Sequence, residues 1–317
     1  MKQYKVGAYY GGFGASLLGS QWAGFDPLYL CEPRKEFDAG SITVNFPDIK
    51  VNTSPDEALS NMDLVWGSPP CAQFSSLGVK RKDHSKLDTL NPYDFDYSKF
   101  LISMLDHRVD TFVLENVPRV LNYFNFTDDG FVTFCGRRVI NMPDYEFQIV
   151  KLNANECGVP QKRNRVYVIG SRVFKPNFNI KKYLPIDSHY VGEVVKDVLP
   201  IDHVQSELPR HSEMRRKGFS GLEPGQSYYG TQNNRRLFWD KPSYTITSHC
   251  TRHVHPEESR VLSVKECAKI MGYPDDYKFT GNESRKLDQI GKAIVPQVAY
   301  LISNYIKDEL QRTNRKG

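Results

Sequence analysis

The chain has 317 residues, 42 Lys and Arg against 37 Asp and Glu, and a formal net charge of +5. That length exceeds what one compact core comfortably serves, so a large domain with a smaller lobe is expected. Hydrophobic residues make up 39% and charged residues 25%, which excludes a collagenous, coiled-coil or wholly disordered chain. The mild positive excess is compatible with a polyanionic partner without requiring one. No stretch reaches the apolar length of a membrane span, and Met1-Lys2-Gln3-Tyr4-Lys5 leads straight into a strand-like run, so a cytosolic protein without membrane contact is expected. The six cysteines show neither CxxC pairing nor metal-ligand spacing; free thiols and no bound metal are expected.

In chain order, residues 6–10 form an apolar run that opens into Tyr10-Gly11-Gly12-Phe13-Gly14, followed by a helix-like segment over 15–24. Strand, glycine turn and helix is the setting a nucleotide-binding turn requires, because glycine accepts positive φ and lets a ligand approach the backbone. A plain structural turn has the same composition. The discriminating residue is Glu32, just past the apolar run 28–30, where an acid can accept hydrogen bonds from ribose hydroxyls. There is no GxGxxG and no second phosphate-binding feature, which favours S-adenosylmethionine over a dinucleotide.

Residues 64–66 predict the next strand, after which Gly67-Ser68-Pro69-Pro70-Cys71-Ala72-Gln73-Phe74-Ser75 sets a thiol at the carboxyl edge of the sheet, where ligands of open α/β sheets bind. Taken alone, Cys71 reads better as a buried structural cysteine. The polar stretch 80–97 predicts a lid loop rather than a linker. Runs at 112–114, 147–151 and 166–169 predict further strands; the first leads into Glu115-Asn116-Val117, and the last is preceded by Gln161-Lys162-Arg163-Asn164-Arg165. The alternation predicts an α/β fold over 1–171, a doubly wound sheet with helices on both faces. A thiol, a carboxylate and two guanidiniums then stand at strand ends.

Beyond 172 the composition turns to Pro, Gly, Ser and mixed charge, and 172–255 is expected to form the second, smaller domain. Helical spacing returns over 263–271 and 296–310, so 256–317 is expected to pack back on the first domain. Cations crowd the second lobe. A solvated face is the default reading of such a run, yet Arg235, Arg236 and Arg252 are interleaved with Tyr, Trp, Asn and Gln, the setting of phosphate and base contacts on DNA.

Taken in order, the glycine turn, Pro70-Cys71, Glu115-Asn116-Val117, the Gln161-x-Arg163-x-Arg165 run, the segment from Arg260 to Pro274 and the stretch Gln289-Ile290-Gly291-Lys292-Ala293-Ile294-Val295-Pro296 resemble the DNA cytosine-5 methyltransferases over nearly the whole chain. The resemblance implies a Rossmann-like methyltransferase sheet with a target-recognition domain, S-adenosylmethionine as cofactor, double-stranded DNA as partner, and a monomer of the cytoplasmic, bacterial or phage-encoded type. It implies cofactor contacts from Tyr10, Gly12, Phe13, Gly14, Glu32, Pro70, Lys292 and Ala293, a DNA contact from Ser75, and catalytic roles for Cys71, Glu115, Arg163 and Arg165.

In that reading, a Cys71 thiolate adds to cytosine C6 and makes C5 nucleophilic, after which the C5 proton is lost with the sulfur. Arg163 and Arg165 are expected to depress the thiol pKa. Glu115 would hydrogen-bond the ring N3 and the exocyclic amine, with Asn116 holding the turn that aims it. Arg165 would bind the base O2, and Arg163 would brace phosphate or the active-site loop. Such chemistry requires the base to be flipped out of the duplex. The chain departs from the family at Pro33, where Trp is usual; at Asn52-Thr53-Ser54, where an Asp is usual; at Ala72, where Gln is common; and at Lys292, where Asn follows Gly. Lys292 reads either as a cation reaching solvent or the methionine carboxylate of the cofactor, or as one that, beside the cofactor sulfonium, needs an intervening anion. The latter points to carboxy-S-adenosylmethionine and a 5-carboxymethylcytosine product. An RNA cytosine-5 methyltransferase and a catalytically dead DNA binder are the alternatives; intact Cys71, Glu115, Arg163 and Arg165 argue against the latter.

Overall fold

The computed structural model describes residues 2–34, 39–71, 74, 91–183, 189–196, 213–228, 234–248 and 253–315, with the side chains of 213–216 excepted. β1 (Lys5–Tyr9) leads through the glycine turn into α1 (Ala15–Trp22), and β2 (Asp26–Cys31), α2 (Gly40–Asn45), β3 (Lys50–Asn52) and β4 (Leu64–Gly67) follow. α3 (Asp96–Asp106) precedes β5 (Thr111–Asn116), then β6 (Phe124–Phe126), β7 (Phe131–Phe134), β8 (Arg137–Asn141), β9 (Glu146–Asn153) and β10 (Asn164–Ser171). The main sheet has seven strands in the order β3-β2-β1-β4-β5-β10-β9. β1 to β5 are parallel, whereas β10 runs antiparallel to both β5 and β9.

Every residue of β4 and β5 is buried, as befits central parallel strands covered on both faces. Successive side chains point to opposite faces. Trp66 and Val113 therefore join one core with Leu17, Ile169 and Ile302, and Val65, Phe112 and Leu114 join the other with Phe100 and Val168.

The expectation of helices on both faces needs one correction. Between β5 and β9 the chain forms a three-stranded antiparallel meander, β6-β7-β8, and Phe124, Val132, Phe134 and Ile140 of that meander pack into the second core. The physical reason is local: Phe124 and Phe126, then Val132 and Phe134, recur at every second position, and a turn follows each strand, with positive φ at Gly130 (81°) in the first and at Cys135 (48°) and Gly136 (79°) in the second. Consecutive positive φ at a two-residue turn is what a tight hairpin demands.

Past β10 come α4 (Val191–Val195), α5 (Glu213–Ser220) and a parallel pair, β11 (Arg235–Arg236) with β12 (His253–Val254). Phe219, Val254 and Val261 form a separate small core, whereas Val191, Leu237 and Ile246 belong to the main one. α6 (Val264–Ile270) opens with a capping box between Ser263 and Glu266. α7 (Glu283–Lys292) and α8 (Pro296–Asn314) complete the chain. α8 lies on α1, with the Ser20 and Ser303 hydroxyls 2.8 Å apart, and Trp66 Nε1 donates to Ser303 at 3.2 Å. Among the described residues no helix is long and apolar enough to cross a membrane.

Candidate active site

Strand direction assembles the site. β4 and β5 are parallel neighbours with Gly67 opposite Leu114, so the loop carrying Cys71 leaves the sheet beside Glu115 and Asn116. β10 is antiparallel to β5, with Tyr167 opposite Glu115 and Val166 opposite Asn116. The beginning of β10, where Arg163 and Arg165 lie, therefore meets the ends of β4 and β5.

Glu115 is 5% exposed and its two oxygens are separately held. Arg165 Nε lies 2.9 Å from Oε1, and Ser68 Oγ donates to Oε2 at 2.7 Å. Ser68 is a site residue that sequence reasoning passed over, although it stands three positions before Cys71 in the same run. Asn116 Nδ2 donates to the Pro69 carbonyl at 3.1 Å, and its Oδ1 accepts the Val117 N–H at 2.9 Å, so Asn116 ties the thiol loop to the end of β5.

For Arg163 the expected phosphate contact is corrected. It is 4% exposed, and its guanidinium donates to the backbone carbonyls of Ile246 (2.9 Å), Gly291 (3.2 Å) and Ala293 (2.9 Å). A DNA phosphate has no access to it. Arg163 instead pins β10 to the segment around Ile246 and to the end of α7. The approach there is close: a Cβ on Gly291 would lie 2.1 Å from the Thr247 carbonyl carbon, so only glycine fits.

Arg165 and Arg163 do pull the Cys71 pKa down as expected, but the net shift is upward. Burial pushes the thiol up, and the nearby Glu115 carboxylate pushes it further. A thiol taken out of water loses the solvation that would stabilise its thiolate.

On the cofactor side, the glycine turn sits at the end of β1 next to the end of β2. Gly14 has φ 79° and caps α1, a left-handed conformation that favours glycine at that position. Gly12 N donates to Glu32 Oε2 at 3.0 Å, and the Tyr277 hydroxyl donates to the Phe13 carbonyl. Tyr10 adopts φ 55° and stacks on Tyr9 at 4.4 Å, with its hydroxyl donating to Asp96 at 3.0 Å. A left-handed tyrosine is a strained conformation of the kind that collects at functional sites. Glu32 is 1% exposed and also receives Arg34, a contact the sequence reading did not weigh although the two residues lie two positions apart. A partly buried glycine turn beside a buried acid fits the nucleoside part of S-adenosylmethionine. Pro70 is exposed, and Ala293 is buried with its carbonyl on Arg163. Among the described residues no group of His, Cys, Asp and Glu could hold a metal ion.

Lys292, in the last turn of α7, is exposed and its Nζ lies 2.7 Å from Asp288 Oδ2, one helical turn earlier. Its charge therefore already has an anion from this chain. Of the arginines expected on DNA, Arg236 is corrected: it is 3% exposed and donates to the carbonyls of His255, Glu258 and Phe219, joining the segments that carry them. Arg235 is half-buried, lies 4.7 Å over the Tyr244 ring and donates to Ser227 at 3.1 Å. Ser75, Ala72 and Arg252, and the stretch 80–90 of the expected lid, lie outside the described residues; residues 92–94 form a 3-10 turn leading into α3.

A protein-family model described as C-5 cytosine-specific DNA methylase matches residues 34–308. The type II methyltransferase M.Sau96I of Staphylococcus aureus is 28% identical over an alignment covering 99% of this chain and 78% of that protein. M.HhaI of Haemophilus parahaemolyticus, also named a type II methyltransferase, is 24% identical over 95% of this chain and 93% of its own length. Among solved structures, a putative DNA modification methyltransferase encoded within an E. coli prophage superposes with a TM-score of 0.74 at 19% identity, covering 98% of this chain and 100% of that one. The Dnmt2 methyltransferase of S. pombe gives a TM-score of 0.60 at 15% identity, with 98% and 100% covered. At such identities the structural likeness shows the fold.

Proposed function

The chain belongs to the C-5 cytosine-specific DNA methylases, and from that premise we propose that it flips a cytosine out of double-stranded DNA and alkylates C5 through a covalent adduct with Cys71. The observation that carries this reading is the meeting of Cys71, Glu115 and Arg165 at one sheet edge, with Glu115 gripped on both oxygens. The cofactor, bound at Gly12, Gly14 and Glu32, would supply an electrophilic methyl group.

Addition of the thiol to C6 requires its proton to leave and one to reach ring N3. The thiol gives its proton to Glu115, and the carboxyl passes it to ring N3 as the bond from Sγ to C6 forms. Protonating Glu115 removes the negative charge that opposes the thiolate, so the two events assist one another. Arg165 orients the carboxyl and faces the base O2, while Ser68 keeps the carboxyl from rotating. Once C5 is alkylated, a solvent base takes the C5 proton as Sγ is expelled, and the N3 proton returns through Glu115 to the sulfur, which restores the ring and the free thiol. The lobe within 172–255 would read the target sequence, with Arg235 and Arg252 toward DNA.

Cys71→Ser should abolish transfer while duplex binding persists. With 5-fluorocytosine in the target site the C5 substituent cannot leave as a proton, and a denaturation-resistant adduct should accumulate with the wild type. Absence of that adduct under turnover conditions sinks the covalent route. Turnover on duplex DNA against bulk tRNA separates this reading from an RNA methyltransferase.

A second reading, carboxymethyl transfer from carboxy-S-adenosylmethionine, rests on Lys292. Its pairing with Asp288 is exposed, and exposed pairs are worth only about 1 kcal/mol or less, so the ammonium can change partner. Offering both donors and weighing the product nucleosides by mass spectrometry decides it: methyl transfer alone removes this reading.

A further inference from the structure

The Glu32 carboxylate has every acceptor position filled by this chain. Oε1 takes the Arg34 backbone N–H at 3.2 Å and Arg34 Nε at 2.8 Å; Oε2 takes the Gly12 N–H at 3.0 Å and Arg34 Nη2 at 2.8 Å. A carboxylate offers about four acceptor sites, and a ribose diol needs two of them. Two of the present donors are backbone groups fixed by the glycine turn and the strand end. The other two belong to one side chain, 31% exposed where Glu32 is 1% exposed. The guanidinium also lies across the turn itself, for a Cβ on Gly12 would stand 3.7 Å from Arg34 Nη2.

We propose that Arg34 is a displaceable plug of the cofactor site, a guanidinium that satisfies Glu32 in the empty enzyme and yields its two acceptor positions to the ribose hydroxyls. The inference rests on the reading of Glu32 as the ribose acid. The plug has a physical purpose. A carboxylate at this burial, left with unfilled acceptors, would be costly to the empty protein. Water can resolvate the guanidinium once it is displaced, because the Arg34 side chain is partly exposed. The exchange trades charge-assisted donors for neutral hydroxyls, which are weaker. Arg34 therefore stabilises the empty site at the expense of cofactor affinity.

Calorimetric titration of the full chain with S-adenosylhomocysteine tests this, alongside the same ligand lacking both ribose hydroxyls. Arg34→Ala should bind the intact ligand about tenfold more tightly than the wild type, and Arg34→Gln, which keeps a neutral donor and guards against poor folding, should fall between. Thermal melts should show Arg34→Ala less stable than the wild type without ligand, with the gap closing at saturation. The affinity gain should vanish for the ligand without hydroxyls. Equal or weaker binding of the intact ligand by both Arg34 variants overturns the plug. If the wild type binds the two ligands equally, Glu32 is not the ribose acid and the underlying reading fails instead.

Discussion

Arg165 Nε sits 2.9 Å from Oε1 of Glu115, although the two residues come from strands that run in opposite directions. That opposition is what makes the pair possible. A parallel β10 would carry Arg165 to the far edge of the sheet, and the Glu115 carboxylate would face Cys71 with Ser68 as its only side-chain partner in the described structure.

The first prediction follows from the charge that Glu115 presents to Cys71. Because that charge raises the thiol pKa, Glu115→Gln should increase the thiolate fraction at a given pH. Iodoacetamide labelling of the Cys71 peptide, followed by mass spectrometry across pH 7 to 10, should then run about threefold to tenfold faster in the variant. Turnover should nevertheless fall by about 10²- to 10⁴-fold, since the proton route to N3 is lost. Slower labelling in the variant would mean that the carboxylate does not oppose the thiolate.

Arg163→Ala should act on stability. It strips one buried guanidinium from the carbonyls of Ile246, Gly291 and Ala293 and leaves them without that donor. A loss of about 3 kcal/mol is expected in urea unfolding. Arg163→Lys recovers little, because an ammonium cannot span carbonyls from two separate segments in the fork geometry of a guanidinium. Stability equal to the wild type in Arg163→Ala would show that the segments are pinned otherwise.

Neighbouring arginines in β11 should separate cleanly. Arg235→Ala should weaken duplex binding and reduce the salt slope by about one if it meets a phosphate, or relax one position of the recognition site if it meets a base. Arg236→Ala should lower the melting temperature through the lost bonds to His255, Glu258 and Phe219, with the salt slope of the folded fraction unchanged. A reduced slope for Arg236→Ala, measured by fluorescence anisotropy over a salt series, contradicts the structural role.

Acid stability should depend on Glu266. Burial alone would raise this carboxyl, but two hydrogen bonds and the charge of Arg260, with the Ser263 N–H, hold it below its ordinary 4.5. A carboxyl depressed in the folded state contributes stability that is present above the unfolded value and lost as pH falls through the folded one. Arg260→Ala should therefore cost about 3 kcal/mol or more at neutral pH. The gap to the wild type should narrow as denaturation is followed below pH 4.5. A gap that stays constant with pH excludes the ion pair as its source.

Much of the architecture was open to local reading. The strands at 6–10, 28–30, 64–66, 112–114, 147–151 and 166–169 all lie within or against observed strands, because buried parallel strands are short apolar runs and turn residues mark their ends. The chemistry-bearing residues at those ends, Cys71, Glu115 and Arg165, were legible for the same reason: a residue type and a strand end are both local facts. The meander β6-β7-β8 has local turn signals as well, which the expectation of helices on both faces of the sheet did not weigh.

The remainder depended on which strand lies beside which, and in what direction. Arg163 and Arg236 look like free cations in the sequence, but each is buried on backbone carbonyls supplied by segments from 17 to 130 positions away. Burial, not residue type, decides whether a guanidinium meets DNA or braces a fold. The same holds for the Cys71 thiol, whose pKa follows desolvation and the Glu115 charge against two cations, a balance of distances that no one-dimensional pattern contains. Pairing of Glu32 with Arg34 joins near neighbours in the chain, but its saturation also needs the Gly12 N–H, and so the turn that brings residue 12 to residue 32. Strand ends can be read from the local pattern of side chains, because hydrophobic periodicity is a near-neighbour property. Partners, burial and protonation are set by contacts between distant segments, and those exist only once the sheet has closed its order.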